Sequence, residues 1–142
     1  MAHEDLNQLL HALVQMAQHL LPKQGEFLPF AATISSDGKV DYAGAYTGED
    51  FPGAQPLLEM LRAVLRQSAA DQTIRAAGIC YDGLTIPPGQ SEKTDSICCS
   101  LEHRNGESVS VFVPYRKDRA GQFIYGEIFA SHRTPEFFLP VG

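Results

Sequence analysis

The chain has no tryptophan, no paired C-x-x-C cysteines and no apolar run near the ~20 residues that a membrane-spanning helix requires. Each of these gaps narrows what the protein can be. Its three cysteines, Cys80, Cys98 and Cys99, are odd in number and unsuited to a disulfide framework, so free thiols are expected. Basic residues are sparse: 11 Lys and Arg stand against 17 Asp and Glu, giving a net charge of −6. They are scattered among acids, so the clustered cations that displace counterions from a nucleic acid are missing, and no nucleic-acid partner is expected. The first five residues hold two acids and no basic stretch, unlike a secretory leader, which makes a cytoplasmic location and no membrane association the expectation. Motifs for phosphate, metal and hydrolase chemistry are also lacking. "SSDGKV" contains Gly38-Lys39 without the upstream glycine of a phosphate loop, and neither G-x-S-x-G nor H-E-x-x-H occurs. His11 and His19 lie eight apart, whereas helical metal pairs sit three or four apart. No metal and no cofactor are expected.

What remains is an ordinary globular composition, 44% apolar and 20% charged, in a length suited to one domain spanning residues 1–142. Leu6, Leu9, Leu10, Leu13, Val14, Ala17, Leu20 and Leu21 recur at helical spacing, predicting a first helix that stops at Pro22. Two alternating segments follow around Asp37-Gly38. A three-residue loop, Ser36-Asp37-Gly38, pairs Ile34 with Val40 and Ala32 with Tyr42, which keeps one face apolar; a two-residue loop does not. A second helix is predicted over 55–70, with Pro56 in its first turn and Leu57, Leu58, Leu61, Val64 and Leu65 on its stripe. Four further segments, "TIRAAGICYD", "DSICCSLEH", "SVSVFVPY" and "QFIYGEIFA", have strand character. The expected fold is therefore α+β: one antiparallel sheet of five or six strands with both helices on one face.

The doublet Cys98-Cys99 looks at first like a chelate, but neighbouring side chains on a strand point to opposite faces. Register decides which cysteine lies inside. With Arg104-Asn105-Gly106 as a three-residue loop, facing residues sum to 210, so Ile97, Cys99 and Leu101 oppose Val113, Val111 and Val109 in one apolar block. Cys98 then lies on the outer face opposite Phe112, beside Ser100–Ser110 and Glu102–Ser108. If the last segment runs unbroken with Ile124, Gly126, Ile128 and Ala130 inward, it adds Phe123, Tyr125, Glu127 and Phe129 to that outer face.

So much aromatic surface exceeds what a soluble monomer usually exposes. Three explanations follow: the tail "TPEFFLPVG" folds back so that Phe137, Phe138 and Leu139 cover it; a homodimer or another protein covers it; or it walls a small-molecule pocket. In the last case Tyr125, Glu127 and Glu102 would be the polar groups and Glu127 the best candidate for a general acid or base, although no residue is assigned as catalytic. The twelve residues of 83–94, centred on Pro87-Pro88-Gly89, would form a loop whose charged end, Glu92 and Lys93 with Asp95 beyond it, closes over the ligand. Arg116, Lys117 and Arg119 read as a solvated basic turn.

The order helix–strand–strand–helix–strands resembles profilin-like and roadblock-type domains, and "GEFLPF", "SEKTDSICCSLEH", "VFVPY" and "YGEIFAS" resemble small bacterial proteins of unknown function. Neither resemblance implies a catalytic or binding residue. The leading expectation is a non-catalytic binding or protein-interaction domain acting through the aromatic outer face. A small-ligand sensor or enzyme using Glu127 is the alternative, and an immunity or antitoxin-like protein that masks a basic effector is the second.

Overall fold

The computed structural model describes residues 2–44 and 53–139. Helix α1 spans Ala2–Gln24, with Glu4 and Asp5 in its first turn and Lys23 in its last, both favourable to the helix dipole. It runs past Pro22, because a proline in the final turn removes only one ladder bond, and Gly25 at φ +77° closes it with an N–H to Leu21 O at 2.8 Å. Strands β1 (Phe30–Ser35) and β2 (Val40–Ala43) form the first hairpin, in the predicted register of Ile34 opposite Val40. Helix α2 (Ala54–Ala70) buries Leu57, Leu58, Leu61 and Leu65, while Val64, predicted for the stripe, is exposed. It ends in a Schellman arrangement, Gln72 N–H to Ala69 O and Thr73 N–H to Ser68 O. Gln72 holds the left-handed position at φ 60°, where glycine is usual, at a cost of about 1–2 kcal/mol.

Strands β3 (Ile74–Thr85), β4 (Thr94–His103), β5 (Ser108–Lys117), β6 (Phe123–Tyr125) and β7 (Phe129–His132) complete one antiparallel sheet of seven strands. The order is β2-β1-β3-β4-β5-β6, with β7 also on β5. The α+β class and the element order are as expected from the sequence, with more strands than the five or six foreseen. Ile97, Cys99 and Leu101 face Val113, Val111 and Val109 as predicted.

Three features depart from expectation. The helices lie on opposite faces rather than on one. α1 packs on Ala32, Ala76, Cys80, Ile97, Cys99, Leu101 and Val111, whereas Leu58, Leu61 and Leu65 of α2 pack on Ala31, Ala77 and Ile79. Adjacent members of β1 and β3 are thus both buried, which is why "AAGIC" is continuously apolar instead of alternating. The last segment is also not one strand. It breaks after Tyr125, Gly126 bonds its N–H to Pro114 O at 2.7 Å, and pairing resumes at Phe129. The long loop is shorter than predicted, because Gly83 to Thr85 and Thr94 are paired; Pro87–Gln90 closes as a turn with Gly89 at φ +79°.

Leu13 of α1 packs directly over Gly78 of β3. A Cβ there would lie 2.7 Å from a Leu101 methyl and 2.8 Å from a Leu13 methyl. Gly78→Ala is expected to cost about 1–3 kcal/mol by overpacking, read as a lowered urea midpoint at unchanged slope.

Candidate functional site

The face of β4, β5 and β7 turned away from α1 is laid out in rows by the register. Cys98, Phe112 and Phe129 form one row, Ser100, Ser110 and Ser131 the next, and Glu102 with Ser108 the third. Parity on the sequence places Cys98, Glu102, Phe112 and Phe129 together, and the structure does the same. Phe112 and Phe129 stack at 5.0 Å with their planes 23° apart, both half-buried. Cys98 is buried beneath them, and that burial pushes its thiol up to about 11, the opposite of an activated nucleophile.

Phe123 and Tyr125 do not join this face. The break at Gly126 flips the alternation, so both rings pack around Tyr115 on the α1 side, at centroid distances of 5.7 and 6.5 Å. Glu127 sits in the break and is exposed. Glu92 and Lys93 are exposed as well, after a turn whose Pro87 and Gln90 adjoin Tyr115 and Tyr125, and Asp95 is exposed at the start of β4, opposite Leu84. The three polar groups proposed for a pocket, Tyr125, Glu127 and Glu102, therefore occupy three different environments.

Glu102 has a role that the sequence does not announce. Its carboxylate is fully buried and accepts the backbone N–H groups of Glu136 at 2.8 Å, Phe137 at 2.9 Å and Phe138 at 3.2 Å. The Arg133 guanidinium donates to the same carboxylate and to Ser108 Oγ. A buried charge is tolerable only when so saturated. The tail is thereby strapped back, and Phe137, 1% exposed, inserts among Leu58, Leu61 and Leu65. Glu136 is held outside by Arg62 at 3.0 Å and Arg133 at 3.1 Å. The tail thus covers the Glu102 end of the face, leaving the Phe112–Phe129 row at its border.

A second polar cluster at the α1 N-terminus was not foreseen. Arg75 bonds both oxygens of Asp5 at 3.0 Å, and His103 Nε2 lies 2.9 Å from Asp5 Oδ2. The N–H of Asn105 reaches His103 Nδ1 at 3.2 Å, which assigns the ring proton to Nε2 as the donor to Asp5. Both ring nitrogens are thus occupied, and the cluster pins the first turn of α1 to the sheet. The one available signal was Asp5 itself, four residues before Leu9 on the apolar stripe. At the other end of the sheet Tyr115 donates to Asp82 Oδ1 at 2.5 Å; burial raises both groups above their ordinary values.

Two outcomes follow from these carboxylates. Glu102→Gln is expected to cost roughly 3 kcal/mol, since one amide oxygen cannot serve four donors, and to speed hydrogen exchange at the 136–138 amides above that of the rest of the chain. For Asp5, burial acts to raise the carboxyl, but the bonds from Arg75 and His103 outweigh it and hold the group below its usual 3.8. A depressed folded value stabilises above the unfolded one and is lost as pH falls through the folded one. Stability should therefore drop below about pH 4, and Asp5→Asn should remove that component of the acid titration.

No family model, curated protein or solved structure matches this chain, so the function is argued from this geometry alone.

Proposed function

We propose that this chain is a non-catalytic binding domain that pairs with a second copy of itself through the outer edge at β7 and the Phe112–Phe129 row beside it. The observation that carries this reading is the open edge. Among the described residues no strand pairs with the far side of β7, so the backbone donors and acceptors of Phe129–His132 have a strand on one side only. Sheets usually guard such an edge with charge. The opposite edge does: β2 carries Asp41, ion-paired to Lys39 at 3.7 Å. Nothing from Ile128 to His132 carries a formal charge when His132 is neutral, and Ile124 and Ile128 along the same edge are 38% and 55% exposed.

A second copy fits because an antiparallel pair about a two-fold axis satisfies both edges with one contact. Aligned on its own centre, β7 sets Ala130 opposite Ser131, and small side chains at the middle let the backbones approach. The half-buried aromatic pair then gains cover at the border of the new interface. The reading as an enzyme or sensor built on Glu127 lacks converging groups, and the immunity-like reading rests on the net charge of −6 alone. Among the described residues no helix is long and apolar enough to cross a membrane.

Light scattering after size exclusion tests this. A dimer is expected at micromolar concentration, and Ile128→Lys, at an exposed site, should weaken it by tenfold or more, about 1.4 kcal/mol, without lowering the melting temperature of the monomer. Phe129→Asp should act in the same direction. A wild-type monomer at the highest soluble concentration, or a dimer indifferent to both substitutions, would overturn the proposal.

A further inference from the structure

The end of α2, the β4–β5 turn and the strapped tail enclose an open groove of about 820 Å³ that the reading above does not use. Its apolar surface includes Ala69, Phe138 and Leu139, and its polar side chains are Arg66, Gln72, Arg104 and Asn105. An adjoining recess of about 360 Å³, floored by Ile74, shares Ala69, Gln72, Arg104 and Phe138, so the two form one depression. Among the described residues no acidic side chain lines either part. In a chain of net charge −6, two guanidinium groups over an apolar floor are a local reversal of sign.

The two arginines differ in their duties. Arg66 spends Nε on Glu136 O at 2.7 Å, and among the described residues no ion pair engages its terminal nitrogens. Arg104 uses its backbone N–H on Arg75 O at 2.9 Å, and its exposed guanidinium has no carboxylate within 4.0 Å among the described residues. Gln72 lines both parts of the depression and holds the strained left-handed position at φ 60°. A glycine there would relieve the strain and remove the amide, so the backbone is held in a costly state at a residue that lines the depression.

We infer that this groove is a binding site for a small organic carboxylate with a hydrophobic body. The carboxylate would be taken by Arg104 and Arg66 as charge-assisted hydrogen bonds, with the Gln72 amide as an additional donor, while the body lies over Phe138 and Leu139 toward the Ile74 recess. A volume of this size has room for a compact bicyclic or branched acid and for larger bodies as well. The charge pattern disfavours cations, and the apolar surface of Ala69, Phe138 and Leu139 beside the two guanidinium groups favours an acid with a hydrophobic body over a bare inorganic anion.

The probe is 2-naphthoate, titrated by calorimetry and by amide chemical shifts on the full chain, with the uncharged 2-naphthamide as its control. Saturable naphthoate binding is expected, with shift changes confined to the end of α2, residues 104–106 and the tail. The amide should bind about tenfold more weakly. Arg104→Gln, which alters an exposed side chain, should lose a similar factor at unchanged melting temperature. Gln72→Gly should raise the melting temperature and yet weaken naphthoate, a pairing that a purely structural role would not produce. The same titration on Ile128→Lys, whose site is remote, separates this inference from the dimer. No saturable binding, equal affinity for acid and amide, or an affinity unchanged in either groove variant would overturn it.

Discussion

A fully buried carboxylate must find donors for its lone pairs, and in this fold Glu102 finds them in a segment more than thirty residues further along the chain. Three backbone N–H groups and the Arg133 guanidinium converge on it. The charge would be severely destabilising without them. Everything at that end of the molecule follows from this demand. The tail turns back after His132, Phe137 fills the space that α2 leaves over Ala77 and Ile79, and Phe138 and Leu139 become one wall of the groove. The cation–π contact of Arg133 with the Phe137 ring, at 5.4 Å, joins the charged and apolar halves of the strap.

Most of the sheet was legible because its tight hairpins share one grammar. Loops at Ser36–Gly38, Arg104–Gly106 and Arg119–Gly121 each end in a glycine of positive φ, at 97°, 100° and 81°. Each closes with the glycine N–H bonded back to the residue before the loop, Ser35, His103 or Asp118. A three-residue loop fixes parity, and parity assigns every side chain on two strands to a face. That is why Cys99 could be placed under a helix and Cys98 away from it. The reasoning failed where parity was interrupted without a turn signal. Phe123 to Ala130 alternates without a flaw on paper, and only Gly126 hints that the chain steps aside at Pro114. One silent break moved Phe123 and Tyr125 to the other face and left Glu127 in solvent.

The placement of the helices was missed for a related reason. Both helices on one face is what an alternating, half-buried sheet would require, whereas a run such as "AAGIC" in β3 fits a strand covered on both faces. Ala31 and Ala32 are both fully buried, and so are Ala76 and Ala77. Such pairs of small neighbours are the signature of a layer covered on both sides. Polar partnerships were still less legible, since each is a long-range choice: Asp5 with Arg75 and His103, and Glu102 with Arg133. Local spacing can flag a charge on an apolar stripe but cannot name what neutralises it.

The two proposed surfaces are joined by the strap. Residues 129–132 form the open edge, Arg133 anchors to Glu102 immediately after it, and 138–139 line the groove, so the edge and the groove wall belong to one continuous segment around one buried carboxylate. A partner at the edge would bear on β7, and a carboxylate over Phe138 would bear on the far end of the same segment, so the two contacts would be joined mechanically through the strap on Glu102. Coupling of this kind is reciprocal: if the acid favours the dimer, the dimer must favour the acid by the same factor.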